Sequence, residues 1–63
     1  MKIYKLIYEK IDWNAYYSTG YNYIISNGTI YGMSEEIVRN HCPITEKEGK
    51  IVIEVIDVYE EEK

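Results

Sequence analysis

His41 and Cys42 are the two residues of this chain whose types could together support nucleophilic chemistry. A thiol becomes a strong nucleophile when a base lies within hydrogen-bond reach. These residues are adjacent on a predicted helix, where successive side chains point about 100° apart, so they cannot form a catalytic dyad. Two soft ligands also fall short of the four that a structural zinc site requires. We therefore expect structural roles for both residues and no bound metal.

Neither the acidic residues nor the glycines form a motif for catalysis or ligand binding. The sequence contains 11 acidic residues, but their spacings match neither a calcium loop nor a carboxylate motif. The 4 glycines are scattered and form no glycine-rich phosphate loop. We therefore predict that the chain is not an enzyme and binds no cofactor.

Charge and hydropathy restrict the classes of partner. The formal net charge is −4, and acidic residues are concentrated near the C-terminus: Glu54, Asp57, Glu60, Glu61 and Glu62. This charge would repel duplex nucleic acid. No run approaches the ~18 apolar residues that cross a bilayer, and lysine and glutamate interrupt the apolar residues near the start. With a single cysteine and no signal-like segment, we expect a cytoplasmic protein that contacts no membrane.

Aromatic residues are concentrated in one short segment. The chain has 8 tyrosines, 1 tryptophan and no phenylalanine, and residues 13–23 contain Trp13, Tyr16, Tyr17, Tyr21 and Tyr23. These rings could fill the core, provided that each hydroxyl reaches water or a hydrogen-bond partner. Exposed rings would instead form a binding surface, because tyrosine and tryptophan are enriched at binding hot spots.

An exposed aromatic surface suits two kinds of partner. Single-stranded nucleic acids stack their bases on aromatic rings, but their binding proteins surround the rings with basic residues. Here the 7 basic residues are outnumbered by the 11 acidic ones. A basic protein partner is therefore favoured, since tyrosines supply contact area and carboxylates steer association.

The alternation of apolar residues predicts strands. Residues 3–11 are apolar on both faces, which indicates a central strand. Residues 12–15 predict a turn or loop, and a second strand is predicted from Tyr16, interrupted at residues 18–20. Asn27 and Gly28 predict a two-residue type I′ hairpin leading to a third strand. The β-prone run at residues 51–59 predicts the last strand.

A short helix is predicted at residues 35–41. Ser34 is a suitable N-cap because its hydroxyl can accept from the free amides of the first turn. Glu35 and Glu36 complement the positive end of the helix dipole. Pro43 ends the helix by disfavouring helical geometry at the preceding residue.

Together these elements predict one α+β domain spanning residues 1–63. It has a four-stranded, mostly antiparallel sheet and one short helix, in the order β-β-β-α-β. A right-handed crossover through the helix would return the last strand parallel to a neighbour, giving the sheet order 4-1-2-3. Residues 60–63 are predicted to form a frayed acidic tail. One short helix covers only part of such a sheet, so we expect an exposed face rich in tyrosine and aliphatic residues.

The sequence thus predicts a small acidic protein that acts by binding another macromolecule. Its size and charge resemble those of phage- or mobile-element-encoded inhibitors of nucleic-acid enzymes, which implies a basic, nucleic-acid-handling partner. The predicted contact residues are Trp13, Tyr16, Tyr17, Tyr21, Tyr23, Glu54, Asp57, Tyr59 and Glu60. The alternatives are a single-stranded nucleic-acid binder and a structural homo-oligomer. Because so short a chain buries little apolar surface, we also expect a homodimer.

Overall fold

A computed structural model describes residues 1–58 of the chain as a three-stranded sheet with two short helices. The elements are β1 (Lys2–Ile11), α1 (Trp13–Ser18), β2 (Ile24–Gly32), α2 (Glu35–His41) and β3 (Gly49–Asp57). Strand β1 is central and pairs antiparallel with both β2 and β3. The predicted contacts at Tyr59 and Glu60, and the predicted tail at residues 60–63, lie outside the described residues.

The predicted four-stranded fold in the order β-β-β-α-β is wrong. Over residues 1–58 the order is β-α-β-α-β, with three strands in one antiparallel sheet. The central position of β1 and its pairing with the last strand are confirmed, but that pairing is antiparallel. Helix α2 still joins two strands that run in the same direction, because β2 and β3 flank β1 and both oppose it.

The predicted hairpin turn at Asn27 and Gly28 is also wrong, because both residues lie inside β2. Asn27 pairs with Glu9, Gly28 pairs with Tyr8, and neither has the positive φ that a type I′ turn requires. A Cβ at position 28 would lie 2.6 Å from the Tyr8 hydroxyl oxygen, so the Tyr8 ring occupies the space above this glycine. Packing of an aromatic ring over a strand glycine has overridden the local turn preference.

Helix α1 occupies the segment predicted as a turn and the start of a strand. Asp12 is its N-cap, and the carboxylate accepts hydrogen bonds from the amides of Asn14 and Ala15 at 3.1 and 3.3 Å. After the helix, Gly20 has a φ of +74°, the left-handed conformation that glycine adopts at helix ends. Asp12 therefore begins a short helix instead of a turn, and Gly20 follows the end of that helix.

Helix α2 confirms the prediction for residues 35–41. The Ser34 hydroxyl accepts a hydrogen bond from the Ile37 amide at 3.2 Å, as expected for an N-cap. Cys42 at the C-cap has an extended backbone, with φ −72° and ψ 127°, as expected before Pro43. Cys42 is a half-buried free thiol and His41 is exposed, and their structural roles stay a prediction.

Helix α2 packs on one side of the sheet, which we call the covered face. Leu6 from β1 and Val38 from α2 are fully buried there, while Gly32 of β2 lets the helix approach closely. A Cβ at Gly32 would lie 2.9 Å from Cγ1 of Val38 and 3.0 Å from Cγ2 of Ile37. Residues directly opposite across the strands share this face: Tyr4, Leu6, Tyr8, Gly28, Ile30, Gly32, Ile51, Ile53 and Val55.

The opposite side of the sheet, which we call the open face, has no helix packed against it among the described elements. It carries Ile3, Lys5, Ile7, Glu9, Asn27, Thr29, Tyr31, Lys50, Val52, Glu54 and Ile56. The expectation that a partly apolar face stays uncovered is confirmed for this part of the chain, but the expectation that this face is rich in tyrosine is wrong, because Tyr31 is the one tyrosine among these residues.

Candidate binding surfaces

Four aromatic rings pack against one another at the end of the sheet where β1 finishes. We call this set, Trp13, Tyr16, Tyr17 and Tyr23, the aromatic cluster. Tyr16 is at its centre, with its ring centroid 5.5 Å from Trp13, 5.2 Å from Tyr17 and 5.0 Å from Tyr23, each edge to face. Trp13 and Tyr17 stack at 6.0 Å. These are the favourable geometries for aromatic pairs, so the rings hold one another in place.

Backbone and indole hydrogen bonds fix the cluster to the sheet. The Trp13 indole Nε1–H donates to the Lys47 carbonyl oxygen at 2.9 Å, which ties α1 to the connection before β3. The Asp12 amide donates to the Tyr23 carbonyl oxygen at 2.7 Å, which closes the loop between α1 and β2. The aromatic segment is therefore anchored on both sides of β1, although α1 is only 6 residues long.

The outer rings of this region are open to solvent. Tyr17 is 79% exposed and Tyr21 is 76% exposed, whereas Trp13 and Tyr23 are half-buried. Tyr21 makes no ring contact with the aromatic cluster, and its backbone is held by Thr19, whose Oγ1 accepts from the Tyr21 amide at 3.1 Å. The rings thus only partly fill the interior, and the outer ones present aromatic surface to solvent.

The predicted contact residues do not form one site. Asp57 pairs with Lys2 and Glu54 pairs with Lys5, towards the start of β1. The aromatic cluster follows the other end of β1, a strand of 10 residues that spans ~30 Å. The acidic residues of β3 and the aromatic residues therefore belong to two separate surfaces.

Sequence reasoning did not single out the exposed apolar residues of the open face. Tyr31 is 62% exposed, Val52 is 52% exposed and Ile56 is 37% exposed. Their signal is the period-2 alternation that places every second residue of β2 and β3 on the same side as Ile3 and Ile7. Reading that signal requires the strand register, which the misassigned hairpin at Asn27 and Gly28 obscured.

Two local interactions stabilise the chain between α2 and β3. The Glu48 carboxylate accepts from the Thr45 amide at 2.8 Å, and this hydrogen bond is the main reason that the pKa of Glu48 is lowered. Arg39 on α2 bonds Glu35 at 2.8 Å and Glu46 at 3.4 Å, and the hydrogen bond to Glu35 is the main cause of the raised Arg39 pKa. Both groups are exposed, so these contacts order the connection without forming a buried site.

The described part of the chain shows no arrangement typical of a small-molecule or metal site. No pocket is found among residues 1–58, and no group of three or more histidine, cysteine or acidic side chains in that range could hold a metal ion. None of the helices described is long and apolar enough to cross a membrane. The cytoplasmic location stays a prediction.

Comparison with protein-family models, with curated proteins and with solved structures finds no match for this chain.

Proposed function

We propose that this chain is a binding protein whose aromatic cluster, together with Tyr21, contacts a protein partner. The observation that carries this proposal is the exposure of the outer rings, 79% for Tyr17 and 76% for Tyr21. Exposed aromatic side chains mark interaction sites, and they are enriched at the centres of interfaces. Trp13 and Tyr16 support Tyr17 from the side, so ordering this ring on binding costs little conformational entropy.

Charge favours a protein partner over a nucleic acid at this surface. Residues 12–34 contain no lysine or arginine, and Asp12 is their one charged residue. A phosphate backbone would therefore find no cation along the aromatic segment itself. The net charge of −4 would instead steer the chain towards a positively charged surface. We infer a partner that combines an apolar patch with a basic rim.

The prediction of a nucleic-acid-handling partner gains no support from the sheet. Across the described strands, each carboxylate of β1 and β3 faces a lysine: Glu9 with Lys50, Glu54 with Lys5, and Asp57 with Lys2. Such alternating charge does not imitate the continuous negative charge of a phosphate backbone. That partner class stays a prediction, as does the absence of catalytic activity, and the proposal is limited to a basic protein.

A single-stranded nucleic acid is the second candidate, because lysines flank the aromatic cluster. Lys10 is the residue before the last of β1, the Lys47 carbonyl oxygen accepts the Trp13 indole hydrogen bond, and Lys50 is the second residue of β3. The fluorescence of Trp13 separates the two candidates. A protein-binding surface predicts no change in Trp13 emission on adding oligothymidine at low salt, whereas base stacking on the cluster would quench it.

Affinity capture with matched variants tests the proposal. The immobilised chain is incubated with a lysate of the organism that encodes it, beside a Tyr17→Ser, Tyr21→Ser double variant and a Tyr31→Ser control. Tyr31 is also exposed but lies on the open face, away from the aromatic cluster. We expect a basic protein to be retained by the unmodified chain and the control and lost by the double variant. Retention by the double variant, or loss with Tyr31→Ser alone, would contradict the proposal.

A further inference from the structure

Strand β3 has a free edge. It pairs with β1 along one side over its 9 residues, and no strand within residues 1–58 pairs with its outer side. An unpaired edge presents a row of backbone N–H and C=O groups that can template another strand. Natural proteins protect such edges with bulges, prolines, charged side chains or very short strands. Strand β3 has no proline and no register shift, and its charged residues Lys50, Glu54 and Asp57 leave the segment Ile51–Val52–Ile53 without a charge.

The hydrogen bonds at the two ends of the β1–β3 ladder show which backbone groups point outward. The Val58 amide donates to the Met1 carbonyl oxygen at 2.8 Å, and the Ile11 amide donates to the Glu48 carbonyl oxygen at 2.9 Å. Hydrogen-bonded pairs alternate with non-hydrogen-bonded pairs along an antiparallel ladder. The even-numbered residues of β3 therefore bond β1, while the odd-numbered residues, such as Ile51 and Ile53, direct their N–H and C=O groups outward.

The other edge of the sheet is less suited to pairing. Strand β2 has a register shift where Ile24 pairs with Ile11, so Ile25 is the unpaired extra residue of a bulge. The middle of strand β2 contains Asn27 and Gly28, both of which are disfavoured in strands. By contrast, the segment Ile51–Val52–Ile53 of β3 consists of β-branched residues. Of the two edges, β3 is the one that a further strand would extend.

Charge selects the register in which two copies of β3 would pair. In an antiparallel pair with twofold symmetry, centring on Val52 sets Lys50 of one chain opposite Glu54 of the other, and Ile51 opposite Ile53. Centring on Glu54 would oppose two carboxylates. Centring on Ile53 would leave both charges opposite apolar residues, and centring on Ile51 would set Glu54 opposite Glu48. The register centred on Val52 is therefore the one that satisfies charge and brings outward-pointing residues together.

The same register continues the charge pattern that exists within one chain. On the open face, Glu54 already faces Lys5, and Lys50 already faces Glu9. In the dimer, a row of side chains would cross four neighbouring strands: Lys5 and Glu54 of one copy, then Lys50 and Glu9 of the second copy. The sign of the charge would alternate from each strand to the next. Lys50 and Glu54 would also occupy a non-hydrogen-bonded pair, where side chains approach most closely. Val52, now 52% exposed, would gain a second Val52 as its neighbour.

We propose that two copies of this chain associate through the outer edge of β3, antiparallel and centred on Val52, with Lys50 of each copy opposite Glu54 of the other. The product is one continuous sheet with three strands from each copy. This dimer uses the outward backbone groups of β3, whereas the aromatic cluster is formed by side chains of α1 and of Tyr23. The dimer and the proposed protein-binding surface can therefore be tested separately.

Charge-reversed variants test the register. In Lys50→Glu, two glutamates oppose each other twice in the homodimer, and in Glu54→Lys two lysines do so. An equimolar mixture restores both opposite-charge pairs. By sedimentation velocity at micromolar concentration, we expect a dimer for the unmodified chain, self-association about tenfold weaker for each variant alone, and a dimer again for the mixture. Circular dichroism of each variant confirms that it is folded.

Amide hydrogen exchange of the unmodified chain provides a test that requires no variant. The amides of Ile51, Ile53 and Val55 should be protected at high protein concentration and exchange rapidly on dilution, while those of Val52 and Glu54 stay protected at both. A chain that is monomeric at all concentrations would overturn the proposal. So would a dimer that neither charge reversal weakens, or protection at the outward amides that does not depend on concentration.

Discussion

The two faces of the sheet differ in how closely they are packed. On the covered face, Leu6 and Val38 are fully buried, and Gly32 has no room for a Cβ beside α2. On the open face, Val52 and Tyr31 are more than half exposed. Substitutions at the buried positions of the covered face should therefore change the free energy of unfolding, whereas substitutions at the exposed positions of the open face should leave it nearly unchanged. Stability depends on one side of the sheet and leaves the other available for contacts.

The largest expected effect comes from comparing one aliphatic residue on each face. Leu6→Ala removes a fully buried side chain and leaves a cavity, so we expect a loss of about 4 kcal/mol in the free energy of unfolding. Val52→Ala on the open face should cost less than about 1 kcal/mol. Urea denaturation monitored by circular dichroism, at a protein concentration low enough to exclude dimers, measures both. Similar losses for the two variants would show that the faces are equally packed.

Substitutions at two strand glycines compare a backbone obstacle with a side-chain obstacle. A Cβ at Gly49 would meet the Glu9 carbonyl oxygen, which is backbone, whereas a Cβ at Gly28 meets the movable ring of Tyr8. We expect Gly49→Ala to lower the free energy of unfolding by about 3 kcal/mol, and Gly28→Ala by about 1 kcal/mol or less. Thermal unfolding of both variants checks the ranking. The reverse order would mean that the β1–β3 backbones separate more easily than the Tyr8 ring moves.

The hydrogen bond from the Trp13 indole to the Lys47 carbonyl oxygen should have a smaller effect on the free energy of unfolding, because it lies outside the covered face. Trp13→Phe keeps an aromatic ring but removes the indole donor to the Lys47 carbonyl oxygen, so we expect a loss of about 1 kcal/mol. Tyr17→Phe is the matched control, since the Tyr17 hydroxyl makes no hydrogen bond within the described chain. Equal melting temperatures for the two variants would show that this hydrogen bond contributes nothing to stability.

The smallest expected effect is a dependence on pH at the connection before β3. The pKa of Glu48 is lowered in the folded chain, chiefly by the hydrogen bond from the Thr45 amide. A lowered folded pKa means that this stabilisation is present at neutral pH and disappears as pH falls below 4.5, through the folded pKa. Glu48→Gln should thus lower the urea midpoint slightly at pH 7 and less at pH 3. A difference that grows at low pH would contradict this assignment.

The elements predicted correctly are those whose signals are local. Helix α2 is readable because Ser34 supplies a cap and Pro43 fixes the end, and both act through neighbouring backbone. Strand β1 is readable because it is apolar on both faces, which indicates a strand with neighbours on either side. Each of these inferences needs only a few adjacent residues.

The structure predicted for the segment between β1 and α2 is wrong, because long-range pairing decides how this segment folds. The sequence Asn27-Gly28 favours a turn in isolation, but pairing with Glu9 and Tyr8 keeps it extended. The aromatic cluster shows the same limit. Composition identifies its members, whereas their separation from Glu54 depends on the position of β3 in the sheet, which no local signal specifies.

Chemical labelling of the tyrosines tests most directly the central claim that the fold leaves aromatic surface uncovered. Brief nitration with tetranitromethane, followed by peptide mass spectrometry, reports the accessibility of each ring. We predict rapid modification of Tyr17, Tyr21 and Tyr31, which are 79%, 76% and 62% exposed, and slow modification of the half-buried Tyr4 and Tyr8. Slow modification of Tyr17 and Tyr21 in the isolated monomer would show that the chain covers its own aromatic surface, and would contradict the claim.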